Sequence, residues 1–266
     1  MVKGLYTAYT GMVEEQRRLD VLTNNLANAD TTGYKREGTV NQAFSDRLAI
    51  RIKDTGSYML NVGIGGMRLG DKVGETYSDF SQGNFQVTDV KSDVGISGRG
   101  FFAVAHANNA GERVIRYTRD GAFTVDVNGY LRTSDGDYVL NNFGALNSNV
   151  NAGNYVRIDP ASEYTIGYDG RITQNNQVVS QIGLVDFQDY NYLSKGEDNL
   201  YSAVDGATVQ RSDATLEQGV LEASNVNVVD EMVNMITIQR AYEAGQKVIQ
   251  TEDSTLDKAA NTVGRI

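Results

Sequence analysis

The chain of 266 residues has no cysteine, no tryptophan, one proline and one histidine. Without cysteine there are no disulfides, no thiolate metal sites and no cysteine nucleophile. The lone histidine, His106 in FFAVAHANN, leaves a serine triad or a zinc site short of partners, and no serine sits in a GxSxG elbow. It reads as an ordinary strand-end residue. No apolar run approaches the roughly 20 residues of a membrane span, so membrane insertion is not expected. The start, MVKGLYTAYTG, lacks the apolar core and small-residue cleavage site of a signal peptide. A basic surplus is missing too: 24 Lys and Arg stand against 34 Asp and Glu, a formal net charge of -10. Nucleic acid is therefore excluded as a partner class, because binding it requires cations that replace phosphate counterions.

Other fragments that could carry chemistry reduce to turns. DVNG and SDGD resemble pieces of a calcium loop but lack its closing glutamate. GISGRG has glycine spacing that suits a phosphate cradle, yet the strand-like FFAVAHA follows it where a helix should open. Among so many acids no pair stands out for glycosidase work. No catalytic residue, cofactor or metal is assigned.

What is present is organised in zones. Leu5, Ala8, Met12, Leu19, Leu22, Leu26 and Ala29 recur at alternating steps of three and four, broken only at Glu15. That is the seam of an amphipathic helix of coiled-coil type. Asp30, Thr31, Thr32 and Gly33 end it, Gly33 as a left-handed cap at which asparagine would be the best-tolerated replacement. Near the other end Val228, Met235, Tyr242, Ile249, Leu256 and Val263 recur at steps of seven, with Ile238, Ala259 and Ile266 on the next stripe. Asn227 is placed to cap this helix, and Asp230 and Glu231 suit its first turn. Burying six such side chains yields on the order of 10 kcal/mol, whereas ordering the helix costs ~1–2 kcal/mol per residue in backbone entropy. One seam is not enough, so these helices need several neighbours.

Between the helices, 28 glycines and 15 tyrosines in the whole chain lean towards β-structure. Asn128 and Gly129 separate AFTVDV from YLRT, a strong hairpin signal. Asp135-Gly136, Asp169-Gly170 and Asn175-Asn176 punctuate further runs. The reading is α+β, with long N- and C-terminal helices forming a coiled-coil-like domain and a central antiparallel β domain. The boundaries are 1–35 for the first helix, 36–81 for a connector of mixed extended structure that contains the glycine cluster GIGGMRLG, 82–218 for the β domain and 219–266 for the last helix.

NNLANADTTGYKR, residues 24–36, resembles the N-terminal signature of the flagellar basal-body rod and hook family. QGVLEASNVNVVDEMVNMITIQRAYEAGQKVIQTEDSTLDKAANT resembles its closing motif, with Asn225, Val226, Asn227, Glu231, Met235, Gln239, Arg240, Ala241 and Tyr242 on the pattern. FSQGNFQVTDVKSDVGISGRGFF and YTRDGAFTVDVNGYLRTSDG resemble its middle motifs. Gly245, where the family usually has Asn, and Thr255, often apolar there, depart from it.

The resemblance implies a structural, non-enzymatic subunit that polymerises helically into the hollow shaft transmitting torque from motor to hook. Its length implies a distal-rod type, with a proximal-rod type of similar size, or a surface fibre subunit, as alternatives. The implied partners are copies of itself, other rod and hook subunits and the flagellar type III export apparatus. The implied place is the basal body, in the cell envelope, reached without a cleaved signal. The subunit interface is expected at Leu5, Met12, Leu19, Leu22, Asn24, Asn25, Leu26, Asn28, Thr32, Gly33, Tyr34, Lys35, Asn225, Asn227, Met235, Gln239, Arg240, Tyr242, Ile249 and Leu256. The asparagine amides, each both donor and acceptor, would bridge helices of neighbouring subunits or reach the SNVN segment.

Overall fold

The computed structural model describes residues 2–45, 47–51, 62–67, 70–108 and 111–263. Ile266, part of the expected second stripe, lies outside them. The chain mixes helix and antiparallel sheet, with a helix at each end of a central sheet domain. It divides into two compact units: residues 1–27, 37–79 and 226–266 in one, and 28–36 with 80–225 in the other.

In the first unit the N-terminal helix spans Val2–Ala27 and the C-terminal helix Val228–Lys258, followed by a π-helical turn at Ala259–Val263. The second helix starts as its sequence dictates. Asn227 is extended and its side chain accepts from the Val229 N–H at 3.1 Å, while Asp230 and Glu231 stand in the first turn. At 31 residues it is about 46 Å long.

The two helices pack antiparallel within the chain, Gly4 beside Glu252 and Met12 beside Gly245. A Cβ on Gly245 would sit 2.7 Å from Met12 Cγ, so this departure from the family pattern lets the helices approach. Along the C-terminal helix Glu231 and Ile238 are buried, while Val228, Met235, Gly245 and Ile249 are partly so. This line keeps Val228, Met235 and Ile249 of the expected steps but includes an acid, and Tyr242 and Leu256 of the same stripe are exposed. On the N-terminal helix the most buried positions are Thr10, Glu14 and Asn25, while Leu5 is exposed and Met12, Leu19, Leu22 and Leu26 are only partly covered. The cause is the neighbour. Strand Asp71–Ser78 packs on that helix, and it presents Gly70 to Thr10 and Asp71 to Glu14. This strand pairs with Glu37–Ala43, and Arg47–Arg51 pairs with Val62–Met67.

The second unit is built around the strand Phe101–Ala107. Its run FFAVA is buried on both faces, which is why it is continuously apolar rather than alternating. Phe102 and Val104 enter one core with Val94, Ile96, Phe123, Leu131 and Ile172. Phe101, Ala103 and Ala105 enter another with Tyr117, Leu140, Val185 and Tyr201. One edge of the strand pairs with Arg113–Thr118, and its other edge pairs with Tyr138–Val139 and with Leu184–Phe187, in a nine-stranded sheet. Among the described residues every strand pair is antiparallel.

The turn signals fall where the sequence puts them, but with different chemistry in one case. Asn175 and Asn176 both take positive φ (48° and 63°) and join Arg171–Gln174 to Gln177–Gln181 as a tight type I′ hairpin. At Asn128-Gly129 only the glycine has positive φ. Asp126 N–H donates to Tyr130 O, which makes this a longer turn with a glycine bulge.

Candidate functional site

The N-terminal helix stops because three local bonds redirect the chain. Thr31 donates through its N–H to Asn28 O and through its hydroxyl to Asn28 Oδ1, and Tyr34 N–H donates to Thr31 O. Gly33 takes φ +65°, the left-handed cap expected of it, and gives its N–H to Glu222 O at 2.7 Å. Its neighbourhood is tighter than a cap alone requires. A Cβ there would lie 2.5 Å from the Arg119 carbonyl carbon and the Asp120 nitrogen. Asparagine, the replacement suited to the backbone angle, is therefore not tolerated either, because rigid backbone occupies the place of its Cβ.

The turn delivers Tyr34 and Lys35 into the β unit, where both are buried. Lys35 Nζ donates to Glu222 Oε1 at 2.6 Å and to Ser81 O at 2.7 Å. Arg119 Nη1 reaches Glu222 Oε2 at 3.1 Å, its Nη2 reaches Gly98 O, and its guanidinium lies over the Phe101 ring. The Gly83 N–H completes the carboxylate's partners. One carboxylate thus holds two cations and a backbone donor away from water, an arrangement that tolerates burial only when every member is paired. Beside it, Thr32 Oγ1 donates to Asp120 Oδ1 at 2.7 Å. Burial pushes the Asp120 carboxyl above the usual carboxylate range, against the Thr32 bond and the Ala122 N–H that favour its charge.

The asparagines have distinct places. Asn25, fully buried, binds the Glu37 backbone at both N–H and C=O, at 2.9 and 2.8 Å, as a paired strand residue would. Asn225 accepts from the Arg36 N–H at 2.7 Å and donates to Ser81, so the chain's entry to and exit from this unit lie side by side. Asn28 holds the turn and Asn227 caps a helix. Asn24 is exposed. Asn25, Gly33, Tyr34 and Lys35 thus have intramolecular partners, and their burial leaves no surface for a neighbour to touch. The exposed members of the expected interface are Leu5, Asn24, Asn227, Gln239, Arg240, Tyr242 and Leu256. Glu222 and Arg119, which complete the charge centre, carry no local signal in the sequence. Only long-range pairing places them opposite Lys35.

A second surface has the plain helical spacing i, i+3, i+4, i+7, which the steps of seven passed over. Val229, Met232, Val233 and Ile236, all exposed, fall within about two turns of the C-terminal helix.

Residues 5–35 match the family described as flagella basal body rod protein, 95–174 the flagellar hook protein FlgE/F/G D1 domain, and 217–262 the flagellar basal body rod FlgEFG protein C-terminal. The chain is 33% identical over 275 residues to the flagellar basal-body rod protein FlgG of Buchnera aphidicola subsp. Schizaphis graminum, covering 97% of this chain and 98% of that one. To the FlgG of Borreliella burgdorferi it is 34% identical over 278 residues, covering 98% of each. To the rod protein FlgF of Caulobacter vibrioides it is 34% identical over 270 residues, covering both chains in full. Both kinds of rod protein are equally near. The matched segments coincide with the capped turn at Gly33, the sheet around Phe101–Ala107 and the C-terminal helix, and the chain belongs to the flagellar basal-body rod protein family as one of its structural subunits.

Proposed function

We propose that the chain is a distal-rod subunit that polymerises with copies of itself through its terminal helices. These join those of neighbouring copies in a coiled-coil-like layer of the hollow shaft, which meets other rod and hook subunits at its ends. The observation that carries this reading is the uncovered stripe of Val229, Met232, Val233 and Ile236. Fully burying each side chain contributes ~1.5–3 kcal/mol, while a single association costs an estimated 4–15 kcal/mol. One such contact by itself comes out near balance. A lattice, in which every copy meets several others, makes it favourable. The protein acts by assembly and not by catalysis, and it reaches the envelope through the flagellar export apparatus.

The test is a strain lacking the gene and complemented with V233E/I236E. Export should continue, and electron micrographs should show basal bodies halted before the distal rod. Complete rods in that strain would refute assembly through this stripe, and arrest at the proximal rod in the gene deletion would reassign the subunit to the proximal type.

A further inference from the structure

In the β unit, a chain with ten more acids than bases carries a cluster of arginines and tyrosines on one sheet face. Arg132 and Tyr138 are cross-strand partners, Tyr138 pairs in turn with Ala105, and Ala105 with Ile115. The alternation of side chains puts Arg113, Tyr130, Arg132 and Tyr138 on that same face. The small Ala105 and Ala107 leave room for the long side chains to lie flat. Tyr138 and Tyr155 stack at 4.7 Å and 13°, Arg113 covers Tyr138 at 4.4 Å, Arg132 covers it at 4.2 Å, and Arg157 lies over Tyr130 at 5.7 Å. Arg132 is neutralised by Asp126 at 2.9 Å. Arg113 and Arg157 are exposed, and among the described residues neither has a carboxylate within ion-pair distance. Arg113 donates through Nη1 to Tyr155 Oη at 3.0 Å. The tyrosine faces hold both guanidinium planes, and the donors that remain are oriented for a carboxylate. Arginine and tyrosine are also the residues that most often dominate protein interfaces.

The opposite face of the same strands has the opposite character. His106 and Asp137 meet there at 2.9 Å. Exposed Asp135 is close enough to Asp198 and Asp137 for their negative charges to add to the burial that raises its carboxyl. Glu197 precedes Asp198 in an exposed loop, and Arg116 shares the face but bonds to its neighbour's carbonyl. Acids outnumber cations on this side, and on the other Arg113 and Arg157 have no acid partner among the described residues.

We propose that the Arg113 and Arg157 platform is a docking surface for a second copy of this chain, which presents Asp135, Glu197 and Asp198 to it. The occupant follows from charge: each copy carries both halves of the contact on opposite faces of one sheet. Such a contact is heterologous and repeats without closing, so it builds filaments instead of dimers. It rests on the reading of the chain as a self-assembling subunit and adds to the helix contacts a second one made by the β unit.

The test uses the full chain in sedimentation over a concentration series at low and high salt. The wild type should associate, and R113E/R157E should weaken that association about tenfold or more, as should D135K/D198K, which leaves the arginine and tyrosine packing untouched. Mixing the two variants should restore association, since each keeps the patch the other has lost. If R113E/R157E associates like wild type, or the mixture stays as weak as its components, this contact is overturned and the helix contacts stand. If the wild type does not associate at any concentration, the self-assembly reading itself fails.

Discussion

Lys35 Nζ donates to Glu222 Oε1 over 2.6 Å and across 187 residues of sequence, with neither side chain reached by solvent. Removing the acid takes away the carboxylate that the buried Lys35 and Arg119 share. Glu222→Ala should cost ~3–5 kcal/mol in urea unfolding of the β unit. Glu222→Gln, which keeps the shape and an acceptor, should cost less. A loss below about 1 kcal/mol for the alanine variant would mean that the three groups behave as surface charges do.

Gly33 combines a left-handed backbone with contact against the Arg119 backbone at 2.5 Å. Gly33→Val and Gly33→Asn should therefore both destabilise by more than the ~1–2 kcal/mol of the backbone angle alone. Similar losses for the two in thermal unfolding would locate the cost in the contact. A near-neutral asparagine variant would locate it in the angle.

Glu14 is buried on the N-terminal helix, and burial lifts its carboxyl above the usual carboxylate range. The charges of Asp71 and Glu15 and a hydrogen bond with Asp71 add to the lift, against Arg18. Because the folded value is raised, its contribution to stability is complete below the ordinary glutamate range and is lost as pH rises through the raised value. Glu14→Gln should unfold at a higher temperature than wild type at pH 8, and the gap should close towards pH 4. A gap that widens on acidification would reverse the sign.

Arg240 is exposed in the single chain, with no ion-pair partner among the described residues. Arg240→Ala should change folding stability by no more than about 0.5 kcal/mol. If this residue meets a neighbouring copy, the same variant should abolish swimming in soft agar while export of the chain persists. Normal swimming would remove Arg240 from the interface.

Both helices, the caps at Gly33 and Asn227 and the hairpin at Asn175 and Asn176 were legible in the sequence because each depends on residues within a few positions. The roles of Asn25 and Lys35 were not. Their partners, Glu37 and Glu222, are fixed by folding of the chain back on itself, and an amide or an amine gives no local sign of which it will meet. The leucine seam misled in a different way. Spacing finds a face, but what that face touches is decided elsewhere, and here the strand Asp71–Ser78 turned Thr10 and Glu14 inward.

The bonds from Asn225 Nδ2 to the carbonyl and hydroxyl of Ser81 bring the two ends of residues 80–225 together and give the β unit a single doorway. A segment whose two ends meet can lengthen or shorten between them without moving either. The exposed turns at Asn128 and at Asn175 are places where strands could be added or lost by insertion and deletion. The girth of the unit could then change from one relative to another while the threshold through which the chain enters and leaves keeps its width.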